Sequence, residues 1–334
     1  GLRGDGLPSW AVPYQQQTKN AEEKDKAYFW SNTTVEQDFA DMWEYVASQF
    51  ANDSGVLGYD LFNEPTTPTN WTSQQMYENM ARVYDMAISA IRKVDQRHVI
   101  FFETSEWDSG THPNNWVEPT DPDHKLALEV HDYYTTFNSH AIEGPFDPSP
   151  GLAAAIYASQ KWDIPLWAGE FGDDPNYTVV RMAVTAFDSF GISWSYWTYF
   201  WANWQGYTFD AQGNVRPEVA ALVEPYITIS SSPVSSLVER TLSNGSVQVN
   251  ASLADNGWAV VFVPYRYYVK GFSREDRWIN VSATRGSISL LCLPVPQKVY
   301  QHVDFNEIGL PDDAAVAVAV VVLAAVYLAY RKRK

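Results

Sequence analysis

The chain is poor in cysteine, in histidine and in positive charge. Its one cysteine, Cys292, has no partner for an internal disulfide and cannot build a cysteine zinc cluster. Six histidines are scattered without HExxH or any other close ligand spacing, so neither a metal nor another cofactor is expected. Lysine and arginine number 23 against 40 acidic residues, a net charge of −17. Such a surface repels nucleic acid and excludes a role that tracks phosphates. What the chain has in abundance is aromatic side chains: fourteen Trp, twenty Tyr and sixteen Phe. With 46% apolar residues they exclude a disordered acidic protein. A length of 334 residues leaves room for a large core and an accessory unit.

Long wholly apolar runs are absent until the C-terminus, where Ala314 to Tyr330 carries no charge and Arg331-Lys332-Arg333-Lys334 follows. At about 1.5 Å per residue this run reaches the short end of a membrane span. Its position and its basic stop predict a transmembrane helix, a single-pass anchor in the cell membrane. The positive-inside rule then places the C-terminus in the cytoplasm and residues 1 to 311 outside the cell. Sequons at Asn32, Asn52, Asn70, Asn176, Asn244, Asn250 and Asn280 fit a glycoprotein with that exterior placement. The chain opens at Gly1-Leu2-Arg3 without an initiator Met or a signal peptide, so its natural N-terminus is expected further upstream.

Between the ends, apolar periodicity predicts helices over 34–50 and 73–94, with Thr33-x-x-Glu36 as a capping box for the first. Two further helices are expected near 152–162 and over 177–190, the latter stopped by Gly191. Strands are predicted at 56–63, 98–103, 126–131, 165–170 and 192–197. Their alternation with helices indicates βα units and a parallel sheet. Polar residues stand at the strand ends: Asn63 and Glu64, Glu103, His131, Glu170. That is where an α/β barrel assembles its active site. From Pro225 short strand-like runs alternate with turn clusters, which predicts a small β-sandwich in a supporting or carbohydrate-contacting role. The expected division is a barrel portion over 1–224, the sandwich over 225–307, a linker over 308–313, the span over 314–330 and a basic tail over 331–334.

Two strand-end carboxylates carry the chemical argument. Glu64 lies in Asp60-Leu61-Phe62-Asn63-Glu64-Pro65, and Glu170 in Trp167-Ala168-Gly169-Glu170-Phe171-Gly172. Hydrolysis of a glycosidic bond needs one carboxyl to protonate the leaving oxygen and another to attack or stabilise the anomeric carbon. Barrel strand ends can bring two such groups together however distant they are in sequence. Aromatic rings after the last strand, Trp194, Tyr199, Phe200, Trp201, Trp204 and Tyr207, are candidates to pack on sugar faces, with Trp201 and Trp204 favoured. Glu103 and Glu106, after the second strand, are candidates to hydrogen-bond sugar hydroxyls, with a solvated loop charge as the alternative, and Trp71, Trp107 and Trp116 in neighbouring loops carry the same ambiguity.

These motifs resemble glycoside hydrolase family 5, the cellulase family of retaining (β/α)8 TIM barrels. L-F-N-E-P is similar to its acid/base signature and W-A-G-E-F-G to its nucleophile signature. His131-x-Tyr133 and Ser195-Tyr196-Trp197 are similar to two further motifs, in the family's order. Within the family, Gly4 to Ala11, Gly58 to Pro65, the Ile91-Arg92-Lys93-Val94-Asp95 helix end and a trailing β-sandwich resemble the endoglycoceramidase-like branch. The resemblance implies an incomplete barrel in which strands 4 to 8 are visible. The first three strands are then expected ahead of Gly1, together with the family's strand-two arginine and strand-three histidine.

By the same resemblance Glu170 is the nucleophile and Glu64 the acid/base. Asn63 bonds the sugar 2-OH, Tyr133 orients Glu170, His131 shapes the subsite floor and Trp197 stacks on the sugar. The implied activity is retaining hydrolysis of β-glycosidic bonds in an oligosaccharide, polysaccharide or glycolipid, by an endoglucanase or endoglycoceramidase-like enzyme. The competing expectation is a catalytically impaired, membrane-anchored carbohydrate-binding or structural surface protein.

Overall fold

A computed structural model describes residues 11, 13–14, 21–104, 113–133, 149–172, 176–200 and 207–295. Among these, one compact unit runs to His131 and takes in Pro150–Trp167; a second holds the remainder.

The first unit opens with α1 (Ala21–Phe29) and α2 (Thr33–Phe50). The predicted box at Thr33 and Glu36 does not form. Asn32 is the N-cap, its side chain accepting from the Thr34 and Val35 amides at 3.1 and 3.2 Å. Glu36 is instead fully buried and paired with the Arg82 guanidinium, Oε1 to Nη2 at 2.8 Å. A buried carboxylate needs such a charge partner more than an exposed amide needs a cap. The chain continues through β1 (Gly58–Asp60), α3 (Ser73–Arg92), β2 (Val99–Glu103), β3 (Leu126–His131) and α4 (Pro150–Trp162). A capping box does start α3, where Thr72 and Gln75 exchange bonds of 3.2 and 2.9 Å.

Strands β1, β2 and β3 pair in parallel, with Asp60 opposite Phe101 and Glu103 opposite Glu129. The Leu128 amide donates to Pro165 at the entry to β4 (Leu166–Glu170). All six residues of β3 but the last are buried, as befits a strand covered on both faces. The helices α2 and α3 turn Val35, Phe39, Trp43 and Val46, and Met76, Met80, Tyr84, Ile88 and Ile91, inward.

In the second unit the end of β4 is followed by α5 (Tyr177–Phe190) and β5 (Ser193–Trp194), and the Ser195 amide donates to Ala168. The strand order of the parallel half-barrel sheet is β1-β2-β3-β4-β5. This is consistent with part of a TIM barrel. Asn176 caps α5, and Gly191 ends it in the left-handed conformation, φ 68°. The predicted strands at 56–63 and 192–197 are only three and two residues long. In both, the chain leaves the ladder to form the strand-end loops.

Beyond a 3-10 turn at Pro217–Leu222 come β6 (Tyr226–Ser230), β7 (Val234–Thr241), β8 (Val247–Leu253), β9 (Trp258–Phe262), β10 (Tyr267–Val269), β11 (Trp278–Ser282) and β12 (Ser287–Pro294). They form a four-stranded sheet, β10-β12-β8-β7, and a three-stranded one, β11-β9-β6. Alternate residues such as Val247, Val249, Val261, Ile279, Leu290 and Cys292 fill the core between them.

The predicted span over 314–330 lies outside the described residues, as do the linker and the basic tail. Among the described residues no helix is long and apolar enough to cross a membrane. The two longest, α2 and α3, are amphipathic and carry charges: Glu36, Asp38, Asp41 and Glu44 in one, Glu78, Arg82, Asp85 and Arg92 in the other. This corrects the single-pass placement, and neither the exterior catalytic region nor the cytoplasmic C-terminus is retained.

Candidate active site

In the first unit the site is built at the carboxyl ends of β1, β2 and β3. After β1 the Leu61 amide still donates to the Phe101 carbonyl at 3.1 Å. The chain then turns, and Glu64 adopts φ 48°, a left-handed conformation uncommon for a side-chain-bearing residue. Two contacts hold it there. The Glu64 amide donates to Glu103 Oε1 at 2.8 Å, and Glu64 Oε1 lies 2.9 Å from His131 Nδ1. Glu64 keeps its carboxyl partly open to solvent while the His131 side chain is 2% exposed. On its other edge, His131 Nε2 lies 3.5 Å from Glu103 Oε1 and 3.7 Å from Glu129 Oε1.

One imidazole thus stands among several carboxyls. Burial pushes Glu103 well above the usual carboxylate range; His131 opposes the shift, while Glu129 and Asp60 add to it. Desolvation, with the charge of Glu129 beside it, pushes the Asp60 carboxyl up as well. The Tyr84 hydroxyl donates to the Glu103 carbonyl at 3.2 Å, fixing the end of β2 from α3.

In the second unit the chemistry gathers at the end of β4. The Tyr133 hydroxyl donates to Glu170 Oε2 at 2.5 Å, a short charge-assisted bond. The Asp132 amide donates to the Glu170 carbonyl at 2.9 Å, and Asp132 accepts from the Ser149 hydroxyl at 2.7 Å. Phe171, the next residue, is buried edge-on against Phe187, Trp194 and Tyr196. It pins the strand end that carries Glu170. The Trp197 amide donates to the Phe171 carbonyl at 2.9 Å, and the Trp197–Thr198 peptide is cis. Trp197 is 40% exposed, so its ring has an open face of the kind that packs on sugars.

Of the other predicted residues, Asn63 is exposed beside Glu64, and Tyr199 and Phe200 are exposed beyond Trp197. Trp116 is core, packed near Tyr77, and offers no sugar surface. Trp201, Trp204, Glu106 and Trp107 lie outside the described residues. The residue whose weight the sequence understates is Glu103. It was expected as a sugar ligand or a solvated charge, yet it is buried and bonded to the Glu64 backbone. Its place as the last residue of an apolar strand, like Glu170 and His131, is the signal that could have found it.

A model of the family described as Cellulase (glycosyl hydrolase family 5) matches residues 9–203. A β-xylosidase of Phanerodontia chrysosporium is 24% identical over 209 residues, 54% of this chain and 41% of the relative. An endoglycoceramidase of Cyanea nozakii is 36% identical over 88 residues, 24% of this chain and 18% of the relative. The chain therefore spans less than half of either curated relative. Among solved structures, endo-glycoceramidase II from Rhodococcus sp., in a cellobiose-like isofagomine complex, superposes with a TM-score of 0.69. At 19% identity it covers 89% of this chain and 75% of that one, a likeness of fold. The family model takes in the strand ends bearing Glu64, His131, Tyr133, Glu170 and Trp197, and on that match the chain belongs to glycosyl hydrolase family 5, the cellulase family, with endoglycoceramidases among its relatives.

Proposed function

We propose that this chain carries the catalytic pair of a retaining glycoside hydrolase acting on β-glycosidic bonds of a β-glucan or a glycolipid. Glu170 attacks the anomeric carbon and the leaving oxygen departs with the proton of Glu64. The C–O bond to the aglycone breaks as the Glu170–sugar bond forms. Glu64, now a carboxylate, takes a proton from water, whose oxygen displaces Glu170 and restores both groups. Such a mechanism needs carboxyls about 5 to 5.5 Å apart. Asn63 bonds the sugar 2-OH, Trp197 stacks on the sugar, and His131 and Tyr133 hold the two acids. Trp201 and Trp204 are proposed as further sugar-stacking rings.

One observation carries the reading. Glu170 ends β4 and Glu64 lies in the loop just past β1, and each carboxyl is held by a polar side chain from the exit of β3, Glu64 by His131 and Glu170 by Tyr133. A carboxylate kept only for stability has no need of a partly open face beside such a partner. The endoglycoceramidase likeness favours a glycosylceramide over a plain glucan, and a screen of both substrate classes separates the two.

The roles are tested in the full-length protein. Glu170→Gln should abolish turnover on every substrate. Glu64→Ala should keep kcat/KM on aryl glycosides with good leaving groups while losing roughly 100-fold or more on unactivated ones, the range of a general acid. Equal residual activity of the two variants on an activated aryl glycoside would refute the assignment.

A further inference from the structure

An acid catalyst beyond the end of its strand has to be fixed by something other than the sheet. Glu64 sits four residues past β1 with φ 48°, so neither ladder bonds nor backbone preference hold its carboxyl. The contacts that do hold it meet at one side chain. Glu103 Oε1 accepts the Glu64 amide at 2.8 Å and lies 3.5 Å from His131 Nε2. The far nitrogen of that imidazole, Nδ1, is 2.9 Å from Glu64 Oε1. The contacts close a ring from the Glu64 backbone through Glu103 and His131 back to the Glu64 carboxyl. Glu103 is 3% exposed, which keeps it from touching a sugar.

We propose that Glu103 is a positioning residue for the acid/base, clamping the Glu64 backbone and, through His131, setting the direction of its carboxyl. The inference rests on the reading of Glu64 as the acid/base. An acceptor oxygen at this place is sufficient for the clamp. Burial, reinforced by Glu129 and Asp60 and opposed by His131, holds the Glu103 carboxyl well above its ordinary range. Glutamine reproduces the shape of this side chain and keeps an acceptor oxygen at the Glu64 amide. Leucine fills the same space without an acceptor.

The test compares Glu103→Leu and Glu103→Gln in the full-length protein, with folding checked by circular dichroism and melting. For each, kcat/KM is measured on a dinitrophenyl β-glycoside and on an unactivated β-glycoside. Glu103→Leu should lose roughly 10- to 100-fold on the unactivated substrate, part of the general-acid contribution, and less than about threefold on the activated one. Glu103→Gln should stay within about threefold of wild type on both. A folded Glu103→Leu with wild-type preference between the substrates, or with equal losses on both, overturns the proposal, as does a Glu103→Gln variant as impaired as Glu103→Leu. Glu64→Ala is run alongside. If it discriminates between leaving groups and Glu103→Leu does not, only the positioning role falls; if it shows no discrimination, the acid/base reading itself falls.

Discussion

Gly172 stands two residues after Glu170, and its substitution by alanine tests how tightly that strand end is held. Its φ is 136°, where side-chain-bearing residues are strained. An added Cβ would come within 2.7 Å of the Trp197 carbonyl oxygen and 2.8 Å of the Tyr196 ring. Both obstacles are anchored, the carbonyl by the backbone and the ring by Phe171. The conformational cost is about 1–3 kcal/mol and the overpacking cost a similar amount, for a total of about 2–6 kcal/mol. At about 2–4 °C per kcal/mol for a unit of this size, melting should fall by roughly 4–24 °C. Gly191→Ala is the control, because Gly191 is left-handed at φ 68° with nothing near its Cβ. It should cost only about 1–2 kcal/mol, the conformational part alone. Scanning calorimetry of both variants measures the difference, and a Gly172→Ala melt equal to that of Gly191→Ala would refute the packing argument. At temperatures where Gly172→Ala stays folded, turnover should drop on activated and unactivated substrates alike, since the displaced segment carries Glu170.

Two further outcomes are expected. Tyr133→Phe removes the 2.5 Å bond to Glu170. A hydrogen bond to a charged group contributes about 1.5–3 kcal/mol, so kcat/KM should fall roughly 10- to 150-fold on both substrate classes; a loss confined to unactivated substrates would contradict a role at the nucleophile. Asp188, on α5, is raised to about 7 by burial, with Glu224 adding to the shift and Arg181 opposing it. A carboxyl raised in the folded state stabilises fully below its unfolded value near 3.8, and that stability is lost as pH rises through about 7. Melting temperature should therefore fall between pH 5 and pH 8, and Asp188→Asn should flatten that fall; an unchanged pH slope in the variant would remove Asp188 as its cause.

Much of the parallel sheet can be read directly from the sequence, and the reasons are local. The β3 segment is apolar on both faces, and Asn176 and Gly191 bracket α5 with a cap and a left-handed stop. Other elements escape because their signals are weak or ambiguous. The α1 segment is largely charged and presents Phe29 only at its end. The edge strand β7 reads VSSLVERT, with no clean alternation, because its register shifts between Val234 and Ser236 and breaks the period of two. Glu36 fits a capping pattern, but only the fold reveals that Arg82, 46 residues away, is its partner. Trp116 has the composition of a sugar-binding ring and turns out to be core, a choice that tertiary packing makes.

The candidate site follows the same division. Glu64 and Glu170 are visible in sequence because their flanks are unusual, whereas Glu103 looks like any acid at a strand end. What distinguishes Glu103 is energetic. A chain selected only for a stable sheet would do better with an apolar residue there, since a buried carboxyl beside Glu129 and Asp60 is costly in either protonation state. Burying that group yields one return that a leucine could not supply, an acceptor aimed at the amide of Glu64 and an oxygen facing His131. Stability given up at a point that fixes a strained neighbouring residue is the mark of a site organised for chemistry. On this argument Glu103→Leu should leave the fold as stable as wild type or more so while weakening the acid catalysis proposed for Glu64.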